Sequence, residues 1–254
     1  MKICRLLLLS IVCLGSSSNL LAQNSPKLSF YTEEFPPYNF KYNSIERDID
    51  GIAVRLLEKI HRQMGKSKKD YRMNLGIWAR GYQLAQKKGQ QVVLFSTTRT
   101  ESREKLFKWV GPITKTTISL IKRKDSLATI SKGSDFLKFK YCVIKDAIGD
   151  ILIREKKVPE ELINAKTKFE ELLTLLLQKD CDFLAYNQKV SEWLMKQHSF
   201  NKDDFVVDYE LKTSKLYFAF NKSISDKVVN SYQNALDDII KKNPNYLKEI
   251  ESLF

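Results

Sequence analysis

Apolar residues recur along this chain with two periods, every second residue and every third or fourth, and their succession predicts an α/β protein. Leu28 and Phe30 alternate with polar neighbours, which predicts a strand running into the loop 32–40, TEEFPPYNF. Its two prolines stiffen that loop and its aromatic rings are what it presents. Gly51 opens a helix with Ala53, Leu56, Leu57, Ile60 and Met64 on one face, and Gly65 stops it. Tyr71, Met73 and Leu75 alternate as a second strand; Trp78-Ala79-Arg80 and a short helix ending at Gly89 follow. The run 91–95 is short and β-branched enough to be a buried strand, and it breaks into the hydroxyl cluster Ser96, Thr97, Thr98 and Thr100. Beyond it lie Arg103, an apolar return over 106–110 and the pair Gly111-Pro112.

The pattern then repeats in kind. Residues 114–122 alternate Thr116, Thr117 and Ser119 against apolar positions, as an extended crossing would. Residues 141–144 predict a strand, Gly149 lies in the turn after it, and a helix starts over 151–156. Phe169, Leu172, Leu173, Leu176 and Leu177 form a helical stripe, and the run 182–185 is a further buried strand ending at Tyr186-Asn187. Strands separated by helices pair in parallel and bind ligands at their carboxyl ends, where Gly149 and Asn187 fall. Residues 215–220 cross back, and helices over about 224–241 and from Tyr246 onward, parted by Asn243-Pro244, close the chain.

The stretch 95–113 carries the candidate chemistry. A buried strand ending in hydroxyls and backbone amides, with a guanidinium a few residues on, makes an anion pocket, because arginine presents a flat fork of donors to a carboxylate. The same residues also read as a solvent-facing helix start that Ser and Thr merely cap. Trp78 reads equally as the wall of a site or as a buried ring at a strand end.

Composition narrows the setting. Lys2 and Arg5 precede the apolar core 6–14 and small residues follow, which predicts a secretory signal peptide over 1–22, cleaved after Ala22. The expected compartment is therefore the periplasm. Removing that leader lowers the net charge from +13 to +11. The lysines are scattered and no basic helix with interleaved aromatics appears, so a solvated surface is favoured and no nucleic-acid partner is expected. Cys142 and Cys181 are the cysteines left, a pair that invites a disulfide in an oxidising compartment. His61 and His198 are isolated, so neither a metal nor another cofactor is expected.

The string FSTTRTESREKLFKWVGPI resembles a segment of the bacterial extracellular solute-binding proteins, family 3, the polar amino-acid-binding periplasmic proteins, whose usual form is close to G-x-T-x-T-x-E-R. Ser96, Thr98, Thr100 and Arg103 fall on its Gly, Thr, Thr and Arg. Three other segments agree, so the resemblance covers nearly the whole mature chain. It implies a two-lobed periplasmic-binding-protein fold of type II, with lobe 1 over 23–114 plus 220–254, lobe 2 over 118–216, and a ligand cleft between them. Phe35, Tyr38 and Trp78 match aromatic positions that cover the ligand, Ser96, Thr98 and Arg103 the carboxylate site, and Gly149 and Asn187 the facing strand ends. It also places the strands of Cys142 and Cys181 side by side. Two departures stand out. The helix that usually begins G-F-D-x-D-L reads GIAVRL here, with Arg55 in place of an acid, and Asn187 stands where amino-acid binders carry the acid that takes the ammonium. Glu34 and Asp146 are other candidates for that role. The resemblance implies a monomer that captures a small carboxylate-bearing solute and passes it to the permease of an ABC transporter. Two alternatives are a ligand-sensing receptor and a periplasmic enzyme such as a dehydratase, for which Glu33, Glu34 and Glu101 are the available acids; no Ser-His-Asp arrangement, metal spacing or phosphate loop supports the enzyme.

Overall fold

The structure, a computed structural model, describes residues 27–42 and 48–254. The leader expected over 1–22 lies outside the described residues. Among the described residues ten strands run in chain order as β1 Leu28–Thr32, β2 Phe40–Lys41, β3 Ile49–Asp50, β4 Tyr71–Leu75, β5 Val92–Thr98, β6 Phe107–Arg123, β7 Tyr141–Ile144, β8 Ile163–Lys166, β9 Phe183–Asn187 and β10 Phe205–Asn221. The helices are α1 Ile52–Gln63, α2 Trp78–Gln86, α3 Glu101–Glu104, α4 Ile148–Glu155, α5 Phe169–Leu177, α6 Gln188–Gln197, α7 Asp226–Lys242 and α8 Tyr246–Glu251.

Eight strands form one hydrogen-bonded ladder in the order β4-β1-β5-β10-β6-β9-β7-β8, and β2 and β3 make a separate hairpin. The ladder is two parallel triplets, β4-β1-β5 and β9-β7-β8, flanking the antiparallel pair β10 and β6. That central pair spans both halves, each strand 17 residues long. Strands covered by helices on both faces read as unbroken apolar runs, and β5, β7 and β9 are buried at every residue. The largest buried cluster includes residues of both halves, among them Phe30, Phe95 and Phe220 with Leu172, Leu184 and Leu194.

The long strands differ from the sequence reading. Gly111-Pro112 does not end an element; β6 passes through it, because residues 111–113 form a bulge opposite Tyr217 and pairing resumes at Thr114 with Leu216. The return strand begins at Phe205, ten residues before the expected crossing at Lys215. Strand β8 and helix α6 were not anticipated. Gly149 lies inside the first turn of α4, not in the turn before it. A Cβ there would come within 2.0 Å of the Ala185 carbonyl oxygen, so glycine is what lets α4 lie close on β9.

Cys142 and Cys181 are joined by a disulfide, with Cα atoms 5.9 Å apart, tying β7 to the residues that lead into β9. Among the described residues, no helix is long and apolar enough to cross a membrane and no group of three or more His, Cys, Asp or Glu could hold a metal. Closing a loop of 39 residues restricts the unfolded chain by about 4 kcal/mol. Replacing both cysteines by alanine in the chain lacking residues 1–22 should lower the unfolding free energy by up to that amount. Thiol counting on the parent chain lacking residues 1–22, unfolded without reductant, should find none free.

Candidate functional site

The carboxyl ends of β1, β5, β7 and β9 point to one place, where Glu33, Phe35, Trp78, Ser96, Thr98, Arg103, Ile118, Ala147, Ile148, Tyr186 and Asn187 line a cavity of about 20 Å³ between the two halves. Six of the eight expected ligand residues meet there: Phe35, Trp78, Ser96, Thr98, Arg103 and Asn187. Tyr38 is buried behind Phe35, the two rings 5.3 Å apart, and Gly149 packs against Ala185 without lining the cavity.

Arg103 is brought to the cavity by a single helical turn. Thr100 caps α3, its hydroxyl accepting from the Arg103 amide, and Thr98 ends β5. The guanidinium is 1 % exposed and lies over the rings of Trp78 and Tyr82, 5.5 and 5.0 Å from their centroids. It donates to the Thr98 carbonyl at 3.2 Å and, across the cleft, to the Asp146 carbonyl at 2.7 Å. Its Nε, also buried, has no hydrogen-bond partner among the described residues. Trp78 donates its indole N–H to the same Asp146 carbonyl at 3.0 Å, so two side chains of the first half grip one peptide group of the second. Asp146 meets them from a left-handed backbone conformation, φ 61°, while its own amide donates to the Asp150 carboxylate.

Arg99 faces elsewhere. It forms a two-pronged pair with Glu104 on the surface and lies over Trp109 and Tyr217.

The loop after β1 is held by backbone bonds to the start of α1. The amides of Ile52 and Ala53 donate to the carbonyls of Pro37 and Tyr38, using donors that a helix start leaves free. Gly51 makes this approach possible, since a Cβ at its φ of 131° would lie 2.5 Å from the Tyr38 carbonyl oxygen. Inside the loop, Asn39 donates to the Glu33 carbonyl at 2.7 Å and accepts from the Ser96 hydroxyl. Phe35 then meets Tyr186 edge to face across the cleft at 5.9 Å. Arg55, which replaces an acid of the family pattern, forms a two-pronged pair with Asp50.

Asn187 is held at both ends of its amide. Its Oδ1 accepts from the Val190 amide as the cap of α6, and its Nδ2 donates to the Thr116 hydroxyl. Among the described residues no hydrogen bond or ion pair reaches the Glu33 carboxyl. Burial pushes its pKa up to about 8, with Arg103 opposing the rise and Glu34 adding to it. Glu34 is tied to the Lys41 amide. The Glu33 carboxyl, the Asp146 carbonyl and Tyr186 are the site features that the sequence reading did not single out as ligand-binding.

The sequence profile of the bacterial extracellular solute-binding proteins, family 3, matches residues 29–251. The chain belongs to that family. No curated protein sequence matches it. Among solved structures, it is similar to a histidine kinase sensor domain with similarity to periplasmic binding proteins, with 17% identity over 89% of this chain and 95% of that one and a TM-score of 0.75. It is also similar to the arginine-, lysine-, histidine-binding protein ArtJ from Geobacillus stearothermophilus, with 17% identity, 89% and 93% covered and a TM-score of 0.72. A third is holo ArgBP from T. maritima, with 20% identity, 90% and 95% covered and a TM-score of 0.68. These likenesses establish the fold as that of type II periplasmic binding proteins. The matched family is one of binding proteins, and a small-molecule ligand is the partner it implies.

The Glu33 carboxyl gives a measurable signature. An unfolded glutamate ionises near 4.5, whereas this one stays protonated until about 8. Unfolding therefore releases a proton between those values, and stability falls as pH rises through that window. Glu33→Gln should leave the melting temperature at pH 4 nearly unchanged and raise it at pH 8. A lower melting temperature at pH 8 would show that the carboxyl is held by favourable contacts.

Proposed function

We propose that this protein captures a small carboxylate-bearing solute, an amino acid or related organic acid, at Arg103 by closure of two lobes in the periplasm, and hands it to the permease of an ABC transporter. The observation that carries this reading is the state of Arg103: a buried guanidinium held by two carbonyls and uncharged groups, with no ion pair to it among the described residues. A buried charge without a counter-charge is costly, and a ligand carboxylate relieves that cost. The lobes we assign are 23–114 plus 220–254 and 118–216, with β6 and β10 as the crossings.

A cavity of about 20 Å³ has room for about one water. A solute therefore enters only when the halves separate, and its contacts to both then favour closure. Arg103 and Trp78 on one side and the Asp146 peptide on the other make the closing contact. Proteins of this fold include ArtJ, which binds arginine, lysine and histidine, and an ancestral arginine-binding protein, which supports an amino-acid-like ligand. A sensor that reports its ligand to a membrane partner is the second reading, favoured by the likeness to the histidine kinase sensor domain. Both readings require the same capture step.

A thermal-shift screen of amino acids and organic acids should find a ligand that raises the melting temperature. Truncating one member of a buried charge pair costs about 2–5 kcal/mol. Arg103→Ala should lose that much binding free energy in calorimetry, and Arg103→Lys nearly as much, because an ammonium cannot make the two-pronged contact. Arg99→Ala should bind as the parent does. Normal binding by Arg103→Ala with failure of Arg99→Ala would move the anion site to the other arginine.

A further inference from the structure

The site as built has a fixed positive end and no committed negative one. Asn187 caps α6 with its Oδ1 and donates to Thr116 with its Nδ2, and its neutral amide brings no charge to the cavity it lines. Glu34 is bound to the Lys41 amide. Among the described residues, Glu33 is the acid that lines the Arg103 cavity, and no hydrogen bond or ion pair reaches its carboxyl. Its backbone is fixed through Asn39, which is fixed in turn by the Ser96 hydroxyl of the strand that leads to Arg103. The same glutamate also lines a wider groove of about 990 Å³, shared with Glu34, Glu170, Glu171, Lys41 and Lys168, that adjoins the cavity at Trp78 and Tyr186.

We propose that Glu33 receives the cationic group of the ligand, so that the solute is a zwitterion whose two charges are both read by the first lobe, its anion by Arg103 and its cation by Glu33. This rests on the reading of Arg103 as the anion anchor. Both groups project from segments that one hydrogen-bonded chain, Glu33–Asn39–Ser96, locks together. The spacing between charges is therefore set before the second lobe arrives, and that lobe contributes the Asp146 peptide and the Tyr186 ring as the lid of the site.

Protonation gives the proposal a sign. The groups facing Glu33 are Arg103 from α3, Glu34 from its own loop and Tyr186 from β9, with Lys168, Glu170 and Glu171 at the start of α5 and Lys41 across the groove. Burial keeps the carboxyl protonated up to about 8, so a cation binding to it must displace a proton. Zwitterion affinity should therefore rise with pH from about 6 to about 8.5, below the loss of the ligand's own ammonium proton. A neutral carboxyl acting as hydrogen-bond donor to an anion would give the opposite slope.

The probes are L-arginine, L-glutamine and L-leucine, each beside the acid of the same skeleton lacking the α-amine, titrated into the mature chain by calorimetry. The wild type should prefer at least one zwitterion over its deaminated partner. Glu33→Gln should weaken that zwitterion by roughly thirtyfold or more while leaving the deaminated acid within about threefold. The variant should keep or gain thermal stability at pH 8, so a loss of binding cannot be a loss of fold. Unchanged zwitterion binding in Glu33→Gln, equal wild-type affinity for both members of every pair, no zwitterion bound at all, or affinity that falls with rising pH each overturns the proposal. Arg103→Ala separates the two readings. It should weaken both members of a pair alike, and if it does while Glu33→Gln changes nothing, the anion anchor stands and only the role of Glu33 is lost.

Discussion

A buried guanidinium held by carbonyls is the constraint around which this molecule is arranged. Arg103 carries a full charge into a site with 1 % exposure and meets two peptide oxygens, one from each half of the fold. Carbonyl dipoles lower the cost of burying the cation but leave its charge uncancelled. The local chain is shaped to this end. Strand β5 delivers Thr98, the Thr100 hydroxyl starts a four-residue helix, and Trp78 and Tyr82 supply ring faces that favour a cation. On the far side, Asp146 adopts a left-handed conformation that leaves its carbonyl free to accept from both Arg103 and Trp78. Such backbone conformations in residues other than glycine carry strain and cluster at functional sites.

What the sequence made legible follows from where the physical signal lies. Strands buried on both faces announce themselves as apolar runs, so β5, β7 and β9 were readable. The long β6 and β10 are readable only in part, because β10 is half-buried or exposed over 206–215, and a Gly-Pro pair inside β6 mimics an ending that a bulge absorbs. Helix α6 had a signal that went unused. Asn187 is a good cap, and Val190 and Leu194 follow at helical spacing, but the same asparagine invited a ligand role. Strand β8 offers four residues with one buried, too little to read.

The site divides along the same line. Ser96, Thr98 and Arg103 could be found because they share one stretch of chain with an unusual density of hydroxyls. The Asp146 carbonyl could not, since a backbone oxygen has no residue type to betray it. Glu33 looked like any surface acid; only the fold places it among Arg103, Tyr186 and Trp78, where burial changes its chemistry. Gly149 was read for its place at a strand end, and its need turned out to be room for a helix against Ala185.

Ser96 joins the strand of the arginine to the loop of the glutamate. It occupies the position where the family pattern has glycine, and its φ of 57° is the left-handed conformation that glycine adopts at no steric cost. A side chain there costs roughly 1–2 kcal/mol of backbone strain. Its hydroxyl donates to Asn39, and Asn39 holds the Glu33 backbone. A glycine would relieve the strain and cut that link, leaving the loop of Glu33, Phe35 and Tyr38 without its hydrogen bond to β5. The chain thus holds a strained residue where one hydroxyl couples the strand that leads to the arginine with the loop that bears the carboxyl, which fixes the distance between guanidinium and carboxyl more firmly than either segment could by itself.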